Sequence, residues 1–228
     1  MDMFYFVLAG GLSLIGMLVS ARLKGKFSKY SQVALPSGMS GREVAEAMLR
    51  HYGISDVRVT MGQGFLSDHY NPLTKVVNLS PDVYQGRNVA AAAVAAHECG
   101  HAVQHAQAYA WLQMRSALVP IVNVAASAQQ WLLIGAFMLL GSFPQLMLIT
   151  IFAFAATTLF SFVTLPVEFD ASRRALVWLD ASGVARGSAY NGAKDALWWA
   201  AMTYVSAALS SLVMVMYLVL RYMAANRD

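Results

Sequence analysis

Three residues in one short stretch have the types and spacing for metal chemistry: His97, Glu98 and His101 in His97-Glu-Cys-Gly-His101. On a helix, residues i and i+4 share a face, so both imidazoles can point at one cation. Glu98 sits one step round, placed to work on water held by that cation rather than to bind it. This is the H-E-x-x-H pattern, and the ion it implies is Zn2+. The flanking alanines favour helix, and Gly100 costs only about 1 kcal/mol within it. Cys99, the single cysteine of the chain, fills a variable slot of the pattern. It reads as a small buried apolar residue, because a catalytic zinc keeps its fourth position open. A lone cysteine also rules out an intramolecular disulfide framework.

Two histidines need a third protein ligand. His105 follows on the same helical face, but the eight residues from His97 are about 12 Å of rise, too long for one ion. It is expected beyond the ligand set or at the surface, and His51 at a helix end. The better candidate is Glu168, in Pro166-Val-Glu-Phe-Asp-Ala-Ser172, a carboxylate placed directly after a long uncharged run. The competing reading is an ordinary acid in the first turn of a helix.

The elements that must position these residues are set by hydropathy. The chain is 58% hydrophobic and 12% charged, against about 25% charged for a soluble domain. Much of it should therefore face a lipid bilayer. The net charge is +4, but the basic residues are scattered or flank apolar spans, which reads as membrane topology and not as nucleic-acid binding. Residues 1–21 form an N-terminal transmembrane anchor. Asp2 precedes the apolar run, and Arg22, Lys24, Lys26 and Lys29 follow it, so the anchor is expected uncleaved, with the next segment cytoplasmic. Residues 116–167 carry no charge and form a transmembrane hairpin turning at Gly141-Ser-Phe-Pro144. Pro120, Asn123, Gln129 and Gln130 in its first half should avoid lipid. Residues 168–195 bring the third ligand. Residues 196–228 hold a last transmembrane helix, led by Trp198 and Trp199, and a tail. Arg221 and Arg227 in that tail lie on the outer side, against the charge bias. Two spans between His101 and Glu168 return the chain to the same side, as a shared ion requires.

Residues 22–115 form a cytoplasmic α+β region. Ser40-Gly-Arg-Glu43 is a capping box opening a helix to His51, with Val44, Ala47, Met48 and Tyr52 as its apolar stripe. The β-prone pieces 57–60, 65–70 and 75–79 suggest a meander or hairpin, with a turn at Asn71-Pro-Leu-Thr74. The strand 76–79 is a candidate edge for an extended peptide. Ser80-Pro81 reads as an N-cap and first helical residue. The motif helix should begin near Asn88 and run to about Tyr109.

Several of these stretches resemble one family. Leu66-Ser-Asp-His-Tyr-Asn-Pro-Leu-Thr-Lys75, Val77-Asn-Leu-Ser-Pro-Asp-Val-Tyr84, Val94-Ala-Ala-His-Glu-Cys-Gly-His-Ala-Val-Gln104, Arg115-Ser-Ala-Leu-Val-Pro120 and Glu168-Phe-Asp-Ala-Ser172 look like the YugP-type membrane zinc metallopeptidases of bacteria. The likeness runs in order from about residue 30 onward, with Asn71 where the family has an acid. More distantly, the site resembles the HtpX and CAAX-prenyl protease class, in which an E-x-x-x-D glutamate completes the metal site. That likeness implies Glu168 as third ligand. It leaves the hydrogen-bond partners of the histidines open among Asp170, Ser172 and Asn123, because position 172 is serine.

The expected molecule is a mainly α integral membrane protein, with about four transmembrane helices and a small α+β zincin-like metalloprotease region. The expected activity is that of a gluzincin-like zinc endopeptidase, with His97, His101 and Glu168 on the metal and Glu98 as general base. A second electrophile is sought among His69, Tyr70, Tyr84 and Arg173, with His69 preferred. The expected partners are a peptide or protein substrate and the lipid bilayer, with no nucleic acid. The resemblance implies a bacterial cytoplasmic (inner) membrane, and the charge bias and span count of this multi-pass chain put the active site on the cytoplasmic side. The rival reading is a non-catalytic membrane adaptor or chaperone with a structural zinc, and an intact Glu98 speaks against it.

Overall fold

The computed structural model describes residues 3–64 and 67–225. In chain order these form α1 (Met3–Ser31), α2 (Gly41–His51), β1 (Arg58–Met61), β2 (His69–Asn71), β3 (Val76–Leu79), α3 (Pro81–Gln85), α4 (Val89–Ala106), α5 (Ala110–Met138), α6 (Gln145–Ala181) and α7 (Ser188–Ala225). The chain is mostly helical with one small sheet. Four helices, α1, α5, α6 and α7, are long and apolar enough to cross a membrane.

The chain divides into two compact units. One comprises the described residues up to Val19, Met114–Leu165, and those from Thr203 onward. Its outward side chains include Phe6, Met17, Trp131 and Phe152, the apolar surface that lipid demands. Inside it, Leu133, Ala136, Met147, Tyr217 and Leu218 form a small core. Gln129 donates to Thr157 Oγ1 at 2.7 Å and to the Ala153 carbonyl at 3.2 Å, so its amide is satisfied within this unit. Asn123 and Gln130 are exposed.

The other unit comprises Ser20–Gln113 and Pro166–Met202. Its centre is α4, where Ala90, Ala92, Ala93, Ala95 and Ala96 are fully buried. A helix of alanines has no bulk to hold neighbours away, so elements approach it closely on several sides. The capping box before α2 forms as expected: Ser40 accepts from the Glu43 N–H, and the Glu43 carboxylate accepts from the Ser40 N–H at 2.7 Å. Val44 and Met48 of α2 are fully buried. Asp195 on α7 accepts from Lys26 Nζ at 2.7 Å and Tyr30 Oη at 2.6 Å, which ties the end of α1 to α7.

The sheet differs from a meander. Its order is β1-β3-β2, with β3 antiparallel to β2 and parallel to β1. The β2–β3 hairpin closes through a turn in which Lys75 adopts a positive φ. The most apolar strand takes the middle, where Val77 and Leu79 are fully buried. Paired on both edges, β3 has no free side for a peptide, which corrects the expectation for residues 76–79. Residues 65 and 66 of the expected second strand lie outside the described residues. Ser80 precedes α3 but makes no side-chain cap. Its hydroxyl and N–H go instead to Asp68. Burial pushes the Asp68 carboxyl up, and those bonds hold it back.

Candidate metal centre

The motif helix α4 is capped by Asn88, whose side chain accepts from the Ala91 N–H at 2.9 Å. It stops at Ala106, short of the expected Tyr109, because Ala108 turns to a positive φ and α5 starts afresh at Ala110. Cys99 faces α2, its Sγ 3.5 Å from the Ala45 carbonyl oxygen. It is fully buried, and burial pushes its thiol up, so it behaves as the small apolar residue expected.

Gly100 explains how α6 reaches the motif. A Cβ at this position would lie 2.6 Å from the Ala171 carbonyl oxygen, closer than any side chain tolerates. The absence of that atom lets α6 pass directly over α4, and the residue one turn earlier on α6 is Glu168. Its Oε2 lies 3.3 Å from His97 Nε2 and 3.6 Å from His101 Nε2. One ligand atom from each of the three residues falls within 4.8 Å of the others. A tetrahedral ion with bonds of about 2.0–2.1 Å separates its ligand atoms by about 3.3–3.4 Å. Glu168 Oε2 is buried without a hydrogen bond, and a buried carboxylate oxygen with two ring nitrogens around it calls for a cation. The donor set and its spacing therefore fit Zn2+.

The hydrogen bonds behind the histidines fix which nitrogen faces the group. Gln104, fully buried, donates through Nε2 to the Val167 carbonyl at 2.8 Å and to Asp170 Oδ2 at 2.9 Å. Both amide hydrogens are thereby used, and its Oε1 is left to face His101 Nδ1 at 3.0 Å. An amide oxygen only accepts, so Nδ1 carries the proton and Nε2 presents its lone pair. Asp170 is anchored in turn by Arg173 and Arg174, and Arg174 also donates to Gln107. On the other histidine, Ser172 Oγ lies 3.1 Å from His97 Nδ1. Of the three partners left open by sequence, Ser172 serves His97 directly, Asp170 reaches His101 through Gln104, and Asn123 is exposed. Burial draws the His101 imidazole towards its neutral form, and the Glu168 carboxylate draws it back further, so its pKa is raised overall. A carboxylate that attracts a proton to Nε2 attracts a metal cation there equally.

Glu98 follows His97 on α4 and is mostly buried. Its carboxyl makes no hydrogen bond to another described residue. His69 is exposed on β2, its Nδ1 2.8 Å from the Ser67 carbonyl, and none of its described contacts joins it to the three ligand candidates. Tyr70 bonds instead to His105 Nδ1 at 2.8 Å. Burial, with the nearby Asp56 charge, pushes this phenol up to about 12. His105 is thus occupied outside the ligand set, as its rise along the helix requires. Tyr84 lies under the Arg42 guanidinium, and His51 packs edge-on against Tyr52. Sequence reasoning missed Gln104. Its only local signal is a polar side chain three residues after His101, on the face that carries the histidine.

A Bacillus subtilis (strain 168) protein named putative membrane protease YugP is 42% identical to this chain over 210 residues, 92% of each protein. No solved structure matches. The family described as putative neutral zinc metallopeptidase matches residues 5–223, and so takes in both histidines, Glu98 and Glu168. Zinc is accordingly the cofactor, with the His97, His101 and Glu168 group able to hold it. The chain belongs to this zinc metallopeptidase family.

Proposed function

We propose that this chain is a membrane-bound, zinc-dependent endopeptidase of the gluzincin type. In this reading His97, His101 and Glu168 hold Zn2+, and Glu98 is the general base. The observation that carries it is the convergence of two Nε2 atoms on one carboxylate oxygen, at 3.3 and 3.6 Å, with an uncommitted carboxyl one residue along the same helix.

When bound, Zn2+ supplies Lewis acidity towards water and towards a substrate carbonyl. Glu98 takes a proton from the attacking water and passes it to the leaving amine. Gln104 and Ser172 hold the imidazoles by their far nitrogens, so that the ligand atoms are aimed before the ion arrives. Of the oxyanion candidates His69, Tyr70, Tyr84 and Arg173, Tyr70 is held by His105 and Arg173 by Asp170, which leaves His69 and Tyr84. The assignment to His69 draws no support from its contacts with Ser67.

The four apolar helices and the membrane-protease relative support a multi-pass membrane protein. We place it in a bacterial cytoplasmic membrane, with residues 1–21, 116–167 and 196–228 providing the spans. Residues 22–115 and 168–195 then form a zincin-like region on the cytoplasmic face, where it meets peptide or protein substrates.

Glu98→Gln tests the base. The variant should keep one zinc per chain and lose peptide cleavage by at least about a hundredfold, the low end of general-base contributions. Cleavage at the wild-type rate would end this mechanism. Glu168→Ala tests the ligand set, and full zinc occupancy in that variant would remove Glu168 from it.

A further inference from the structure

The hairpin of α6 and α7 carries a second feature on a face that α4 does not cover. Glu168, Ala171 and Ala175 make the stripe of α6 turned to α4. Phe169, Arg173 and Leu176 lie on another stripe, about 130° round the helix. Together with Tyr190, Lys194 and Trp198 of α7 they line an open groove of about 210 Å³.

The groove is polarised along its length. Phe169 and Trp198 pair at 6.5 Å between ring centroids and mark one end. At this level charge disappears from both helices: α6 has none before Glu168, and α7 has none from Ala196 to Leu220. One turn further from that end lie Arg173 and Lys194. No acid lines the groove. Lys194 has no acidic partner among the described residues, since the neighbouring Asp195 is taken by Lys26 and Tyr30. Asp170 is shared between Arg173 and Arg174, so one carboxylate faces two guanidinium groups. Cationic charge therefore remains unmatched at the polar end, while aromatic rings form the apolar end.

We propose that this groove binds an anionic phospholipid. Its phosphate sits between Arg173 and Lys194, and its acyl chain runs beside Phe169 and Trp198. The net negative headgroup answers the unmatched cations, and an indole at the level where charge stops is a membrane-interface residue. A substrate side chain fits less well. The wall shared with the candidate metal centre is Ser172, which touches His97 at Nδ1, the nitrogen on the far side of the ring from the Nε2 that faces Glu168. The groove thus lies behind the imidazole and not in front of the reacting water. The proposal rests on the membrane reading and is independent of catalysis.

The test is native mass spectrometry of the full-length zinc-loaded protein, released from detergent containing equimolar phosphatidylglycerol and phosphatidylcholine. Wild type should retain phosphatidylglycerol preferentially. Lys194→Glu should cut that retention about fivefold or more, from the worth of one basic residue at an anionic surface. Trp198→Ala should weaken retention of both lipids. Unchanged zinc content in both variants shows that they are folded. Equal retention of the two lipids by wild type would overturn the proposal. So would displacement of phosphatidylglycerol by inorganic phosphate, which makes the ligand a free anion. A lipid-free dimer that dissociates on Trp198→Ala would also overturn it, by giving the groove to a second copy.

Discussion

A carboxamide has two donor hydrogens and one acceptor oxygen, and at Gln104 all three directions are assigned by neighbours. The consequence is a single imidazole tautomer at His101, with its lone pair already aimed at the ligand group. Gln104→Leu keeps the volume but removes the acceptor. It should weaken zinc binding about 10- to 100-fold, the usual cost of losing the partner behind a metal-bound histidine. Competition with a chromogenic chelator measures this, and an unchanged dissociation constant would mean that Gln104 only fills space. Cys99 gives the opposite expectation. Its thiol is fully buried and pushed up, so little thiolate is present to react. Iodoacetamide should label the protein only after denaturation, and rapid labelling of the zinc-loaded native form would show that α2 does not cover Cys99.

At the scale of elements, the distance between α4 and α6 decides whether the centre exists. Gly100→Ala would gain roughly 1 kcal/mol of helix propensity but place a methyl group against the Ala171 backbone. Backbone on both sides cannot rotate away, and overpacking of this kind costs about 1–3 kcal/mol. The steric term wins, and any relief by separating the helices also draws Glu168 away from the imidazoles. The variant should bind zinc more weakly and melt no higher than wild type. A higher melting temperature with full zinc occupancy would contradict the close approach. This contact also shows where sequence reading stops. The capping box at Ser40–Glu43 and the pairing of His97 with His101 are local, set by helical periodicity within a few residues, and were legible. The role of Gly100 depends on a carbonyl 71 positions away (100 to 171). The parallel pairing of β1 with β3 likewise depends on which strand is most buried. Neither leaves a local signature, so Gly100 read as a tolerated cost, and the expected meander or hairpin covered the β2–β3 pair but not the parallel β1.

For the whole molecule, the metal would join distant parts of the chain. The unit that holds it is assembled from Ser20–Gln113 and Pro166–Met202, with Met114–Leu165 assigned to the other unit. His97 and its partner Ser172 are 75 residues apart. The histidines come from the first segment and Glu168 from the second, so zinc held by this group would cross-link two segments that no short loop holds together. An ion that binds only the folded chain stabilises it by about 4 kcal/mol at a thousandfold excess over its dissociation constant. For a domain of this size each kcal/mol moves the melting temperature by about 2–4 °C. Stripping zinc with a chelator should therefore lower the melting temperature of the detergent-solubilised protein by about 10 °C, and adding Zn2+ back should restore it. Without its carboxylate, Glu168→Ala should start near the stripped value and respond to neither chelator nor zinc. Glu168→Gln keeps the side-chain volume but gives up the anionic ligand oxygen, so it too should be insensitive to chelator and zinc. A wild-type protein whose melting temperature ignores the chelator would show that the two segments are held together without the ion.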